Sequence, residues 1–130
     1  MKKITSTILI FASLMACNKA EDKQKIMIDE VMAIHDEVMP KMDQIMSLKS
    51  SLDSIAKVSP DSLKARQLYV ALDSADIKMM DWMENYDSES VKGKPESEVM
   101  KYLADEKAKI SDVKTLTNKS IEEAKAFLGK

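Results

Sequence analysis

The sequence predicts an all-α protein: an antiparallel, up-down-up three-helix bundle preceded by a cleaved signal peptide. Two Gly, three Pro and 5% aromatic residues in a chain of 130 leave little material for strands or for frequent turns. Apolar residues instead recur three and four apart over long stretches, the period of one helical face. Turn-forming residues gather at two places, around Pro60 and between Asp87 and Pro95. Hydrophobic residues at 45%, with 20 Lys+Arg against 22 Asp+Glu, exclude a disordered chain. One Cys excludes an intrachain disulfide framework and a Cys-based zinc site, and one His excludes the usual catalytic triads.

Three segments follow from composition: residues 1–16 as a signal peptide, 17–25 as a polar tether, and 26–130 as the helical domain. Lys2 and Lys3 form a charged start, and the apolar run from Ile8 to Ala16 is too short to span a bilayer. The run ends in Leu14-Met15-Ala16-Cys17, which resembles the lipobox of bacterial lipoproteins. That resemblance implies lipidation of Cys17, which becomes the mature N-terminus. The three acyl chains it implies hold a protein to a membrane far more firmly than one chain. Asn18 stands where enterobacterial lipoproteins retained in the inner membrane carry Asp, so the resemblance favours the outer membrane. Removing Lys2 and Lys3 leaves 18 basic against 22 acidic residues, a net charge near −4, and no basic patch for nucleic acid is expected.

The first predicted helix runs from about Asp22 to Ala56, with Ile28, Val31, Met32, His35, Val38, Met39, Met42, Ile45, Met46, Leu52 and Ile55 on one stripe. Pro40 lies inside it and predicts a kink, because its ring lacks an N–H and clashes with the Asp36 carbonyl. Val58-Ser59-Pro60-Asp61 predicts a new start, with Ser59 as N-cap and Pro60 at the first helical position. The second stripe is Leu68, Ala71, Leu72, Ala75, Met79, Trp82, Met83 and Tyr86. After the turn, Val99, Leu103, Ile110, Val113, Leu116, Thr117, Ile121, Ala124 and Phe127 form the third. Helices of about 35, 28 and 33 residues span roughly 53, 42 and 50 Å, and short connections make neighbours antiparallel. The structural alternative is a long hairpin that pairs with a second copy.

Nine Met remain after the leader, none of them in 47–78 or 101–130. Folding back near Val58 sets Met39 opposite Met79 and His35 opposite Trp82 and Met83, and folding back near Val91 sets Met100 level with Trp82. One end of the bundle is therefore expected to gather His35, Trp82 and most of the Met. His35 to Met42 together with Met79 to Met83 is similar to small Bacteroidota lipoproteins carrying the label viral A-type inclusion protein. The resemblance implies helical composition and no particular activity.

Met at helical spacing most simply fills space around a kinked helix and a Trp ring. A sharper reading is a soft-metal site for Cu(I) or Ag(I) made by His35, Met39, Met79 and Met83 beside Trp82, since thioether and imidazole donors without thiolate suit those ions. Periplasmic copper and silver chaperones pair one His with two Met beneath a Trp, an analogy in chemistry and not in fold. Haem with His/Met ligation is a further option that a filled core disfavours. A Met-rich groove for a helical partner, another envelope protein or a second copy is the remaining one. Glu98, Lys101, Asp105, Glu106, Lys107, Lys109 and Asp112 alternate in sign and predict a solvated face. No phosphate-binding Gly-rich loop and no activated nucleophile are present, so the reading is a structural or partner-binding module without catalysis.

Overall fold

In the computed structural model, residues 14–130 are described, with side chains from Ala20 onward. The leader expectation for residues 1–13 and the side chain of Cys17 lie outside this range. Four α-helices and one 3-10 turn make up the fold: α1 (Leu14–Val38), α2 (Lys41–Val58), α3 (Ser62–Asn85), the 3-10 turn Ser88–Val91, and α4 (Glu96–Leu128). Among the described residues there is no strand. No described helix is long and apolar enough to cross a membrane. α1 and α2 form the first bundle element, bent at Pro40, and α3 and α4 supply the other two, so the molecule is the expected all-α three-helix bundle.

Pro40 does more than kink the first element. α1 stops at Val38, Met39 and Pro40 form a turn, and α2 restarts at Lys41. The Met39 N–H still donates to the His35 carbonyl at 2.9 Å, whereas the Met42 N–H donates to Met39 three residues back, at 3.1 Å. Pro40 itself sits at φ −63°, ψ −19°, immediately before α2, where a missing N–H leaves no helical bond unmade.

At the other end, α1 begins at Leu14 and runs through 18–25, the segment read from sequence as a tether. Ala20, Glu21, Lys23, Gln24 and Lys25 are good helix formers, so polar character here does not mean irregular backbone. The second start is also later than expected. Ser59 is extended, at φ −104°, ψ 148°, as a residue before proline is pushed to be. Its hydroxyl accepts the Asp61 N–H at 3.1 Å, and α3 opens at Ser62 behind Asp61, which makes no side-chain cap. In the second turn, Asp87 accepts the Glu89 and Ser90 N–H groups at 2.9 and 3.2 Å. Gly93 takes the left-handed φ of 74° that a side chain would resist.

Two registers hold the bundle. α1 and α2 run parallel to α4 at a constant offset of 77 residues: Lys107 Nζ reaches Glu30 Oε2 at 2.8 Å, Lys114 Nζ reaches Glu37 Oε2 at 2.6 Å, and Lys41 Nζ reaches Asn118 Oδ1 at 2.7 Å. α3 runs antiparallel to both, fixed by Lys49 of α2 at 2.5 Å from Asp73 and 3.6 Å from Asp76. The exposed pairs among these, Glu30–Lys107 and Glu37–Lys114, each contribute little, so they report register while the core supplies stability.

The core is three layers along the bundle axis. Val91, Val99 and Leu103 close the layer nearest the start of α1, with Met27 and Ile28 against them. Val31, Val38, Met79, Trp82, Ile110 and Val113 make the middle layer. Ile45, Leu48, Leu52, Leu68, Leu72 and Ile121 lead the far layer. The Trp82 layer is thus central and not at one end, because the 3-10 turn and the first turns of α4 close a further layer over Met27 and Ile28. Most Met are not in it either: Met46, Met80 and Met83 are exposed, and Met32 and Met100 are half-buried outside all three layers.

Leu72 is fully buried in the far layer. Leu72→Ala should cost about 2–5 kcal/mol of stability through lost burial and a cavity, read as a lower urea midpoint with unchanged slope. Ser54→Ala, at an exposed site on α2, should change it by less than about 0.5 kcal/mol.

Candidate functional site

The middle layer carries the predicted site residues. His35 lies in the last turn of α1, with its side chain 19% exposed and Nδ1 2.9 Å from Asp36 Oδ1. Its ring centroid is 5.8 Å from that of Trp82, tilted by 37°. Trp82 stacks on Tyr86, one turn along α3, at 4.8 Å and 20°, and Tyr86 lies 6.4 Å from Tyr102 of α4 at 15°. An aromatic column therefore crosses the bundle from α1 to α4. Met79 is fully buried in the same layer, and Met39 packs against it.

Of the four residues read as soft-metal ligands, the fold brings His35, Met39 and Met79 to the Trp82 layer and leaves Met83 outside it, 38% exposed. The buried stripe of α3 is Leu68, Leu72, Ala75, Met79 and Trp82. Met83 is one residue past Trp82 and is turned about 100° away. With Nδ1 at Asp36, the His35 ring offers Nε2 to a ligand. No cluster of three His, Cys, Asp or Glu side chains that could hold a metal occurs among the described residues, a statement that does not concern thioether donors.

A residue that the sequence reading placed on a solvated face lies in the core. Glu106 is 4% exposed, and its Oε1 is 2.6 Å from Lys109 Nζ. A buried carboxylate is expensive unless paired, and here the partner's ammonium is 63% exposed. The signal was a gap in a stripe: Val99, Leu103, Ile110 and Val113 step by four, seven and three, and 106 is the position that completes the period. Ser120 fills another such position, donating to the Ala71 carbonyl of α3 at 3.3 Å.

Glu106 and Trp82 line one open groove of about 570 Å³ between α3 and α4. Trp82, Val113 and Leu116 give it apolar surface, while Lys78 and Asp81 of α3 and Lys109 and Asp112 of α4 give it charges of both signs. The indole Nε1 of Trp82 is buried without a hydrogen-bond partner. Burial pushes the Tyr86 and Tyr102 phenols above their ordinary range, and the Glu106 hydrogen bond raises Lys109.

No family model, curated protein or solved structure matches this chain.

Because burial favours the neutral phenols, their contribution to stability is complete below pH 10, the ordinary tyrosine value, and is lost as pH rises through their higher folded values. A 295 nm absorbance titration should show ionisation above pH 10 that diminishes in Tyr86→Phe and in Tyr102→Phe.

Proposed function

We propose that the protein is a membrane-anchored envelope lipoprotein whose helical bundle serves as a partner-binding adaptor without catalysis. The groove between α3 and α4 carries this reading. An apolar floor of Trp82, Val113 and Leu116 beside the enclosed carboxylate of Glu106 suits a peptide segment that presents an apolar side chain next to a Lys or Arg. Such a basic group would share the Glu106 carboxylate with Lys109, and the apolar neighbour would cover the indole. Lipid at Cys17, expected from the lipobox-like Leu14-Met15-Ala16-Cys17, would sit in the first turns of a helix that is continuous to Val38. The bundle proper begins near Lys23, which reaches Glu96 at 4.0 Å, six residues or about 9 Å further along. That geometry suits a short rigid stalk holding the bundle just clear of an outer-membrane surface.

Two measurements test the two halves of this reading. Intact mass of envelope protein should show a chain beginning at Cys17 with added acyl mass, and Cys17→Ser should leave the membrane fraction. A photo-crosslinking residue in place of Leu116 should give one discrete adduct in envelopes, lost on Glu106→Gln, while the same residue in place of Glu122 gives none. Absence of any Leu116-dependent adduct would remove the adaptor reading.

A soft-metal reading keeps a specific observation in its favour, the meeting of His35, Met39 and Met79 beside Trp82. It expects Ag(I) to change Trp82 fluorescence at roughly 1:1 stoichiometry and to bind far more weakly in His35→Ala, because one of three donors is gone. Met83→Leu should leave binding unchanged, since Met83 stands outside the layer. A flat Ag(I) titration of the wild type would exclude this second reading.

A further inference from the structure

The outward face of α3 carries Leu63, Val70 and Ile77, which are 70%, 61% and 52% exposed. They are seven residues apart, two helical turns each, and so form a nearly straight apolar spine opposite the buried stripe. The flanks of the spine are polar. Arg66 and Asp73 lie on one side of it, Gln67 and Ser74 on the other.

This face is its own complement when reversed about Val70. Leu63 and Ile77 are each seven residues from Val70, on opposite sides of it. Arg66 lies four before and Asp73 three after, on the same flank, while Gln67 lies three before and Ser74 four after on the other. In two antiparallel helices related by a two-fold axis through Val70, like flanks meet, so Arg66 of each copy comes level with Asp73 of the other. A parallel pairing brings unlike flanks together and sets Arg66 near Gln67, with no opposite charge to meet. An interface around a two-fold axis must be self-complementary in this way.

Arg66 is the only arginine in the chain. It makes no ion pair among the described residues, although arginine is the cation best suited to interface pairs. Asp73 already receives Lys49 and has its remaining lone pairs for a second donor, its side chain being 40% exposed.

We propose that the protein forms a two-fold symmetric homodimer by antiparallel pairing of two α3 helices centred on Val70, with reciprocal Arg66–Asp73 ion pairs flanking a Leu63–Val70–Ile77 seam. The contact is about 21 Å long from Leu63 to Ile77, which places it among the weaker, reversible associations. It does not involve the α3–α4 groove, so adaptor and dimer are tested separately.

Symmetry supplies a sharp test in the full-length protein. Val70 alone lies on the axis, so Val70→Cys should form a disulfide-linked dimer under mild oxidation, at a yield at least tenfold above Glu122→Cys, an exposed position on α4, and above the wild type. Leu63→Cys and Ile77→Cys should each fail to link to themselves and should link to one another when the two variants are mixed. Arg66→Asp added to Val70→Cys should lower the yield roughly tenfold by setting like charges together, and Asp73→Arg in the same chain should restore it. Leu63, Arg66, Val70 and Ile77 are exposed, so loss of folding does not account for a negative result there; Asp73→Arg also faces Lys49, and an unchanged helical circular dichroism spectrum and urea midpoint of that variant are required before its yield is read. Val70→Cys linking no better than Glu122→Cys overturns the proposal. So does efficient self-linking of Leu63→Cys, which belongs to a parallel pair, and so does an adduct to a different protein in place of the second copy. A yield indifferent to Arg66→Asp overturns the reciprocal ion pairs and with them the proposed interface.

Discussion

Everything along the first bundle element has to accommodate one missing hydrogen-bond donor. Pro40 cannot donate and crowds the preceding turn, so a helix of more than forty residues is divided into α1 and α2. Division alone would let the two pieces adopt independent angles. They do not, because α4 is continuous through the same stretch and meets Glu30, Glu37 and Lys41 at one offset of 77 residues on both sides of the break. The unbroken helix acts as a splint. Val38 just before the break and Ile45 just after it are both fully buried, so core packing resumes within about one turn on each side.

The middle layer sits beside that break and shows what it permits. A regular helix would present aliphatic side chains at even spacing. Here a tilted imidazole, a thioether and an indole fill the space, followed by two phenol rings. The layer has a loose end for a core. Trp82 Nε1 has no partner, and a buried polar atom left so costs about 1–3 kcal/mol. The adjoining far layer, built of Leu, Ile and Ala, contains no such residue among its core members. Stability and irregularity are therefore separated along the axis, with irregular chemistry beside the open groove.

Periodicity made the helices, their antiparallel order and the His35–Trp82 meeting legible, because each depends only on spacing and on where the chain turns. What stayed hidden depended on rotation about a helix axis by a single residue. Met83 and Trp82 read as one stripe in sequence, yet about 100° separates them and only Trp82 is buried. Glu106 read as belonging to a charged surface because residue type was weighed before position, although the period through Leu103 and Ile110 already required something there. The Ser59 N-cap expected from the sequence does not form, for a different reason: Pro60 governs the residue before it, and an extended Ser59 serves the turn instead of the helix. Polar residues 18–25 were read as a tether because they carry no apolar stripe, and their helix propensity lets α1 run back through them.

The parallel register has a mechanical consequence. Because α1 and α4 run in the same direction, the beginning of α1 and the end of α4 lie at opposite ends of the bundle, about 50 Å apart for a 33-residue α4. Tension applied between those ends loads the α1–α4 seam in shear, so the side-chain pairs along it and the buried apolar layers must yield together. In a hairpin pulled from adjacent ends they would instead peel open in succession. A bundle with this connectivity can sustain force along its axis out of proportion to the modest worth of any single contact across the seam.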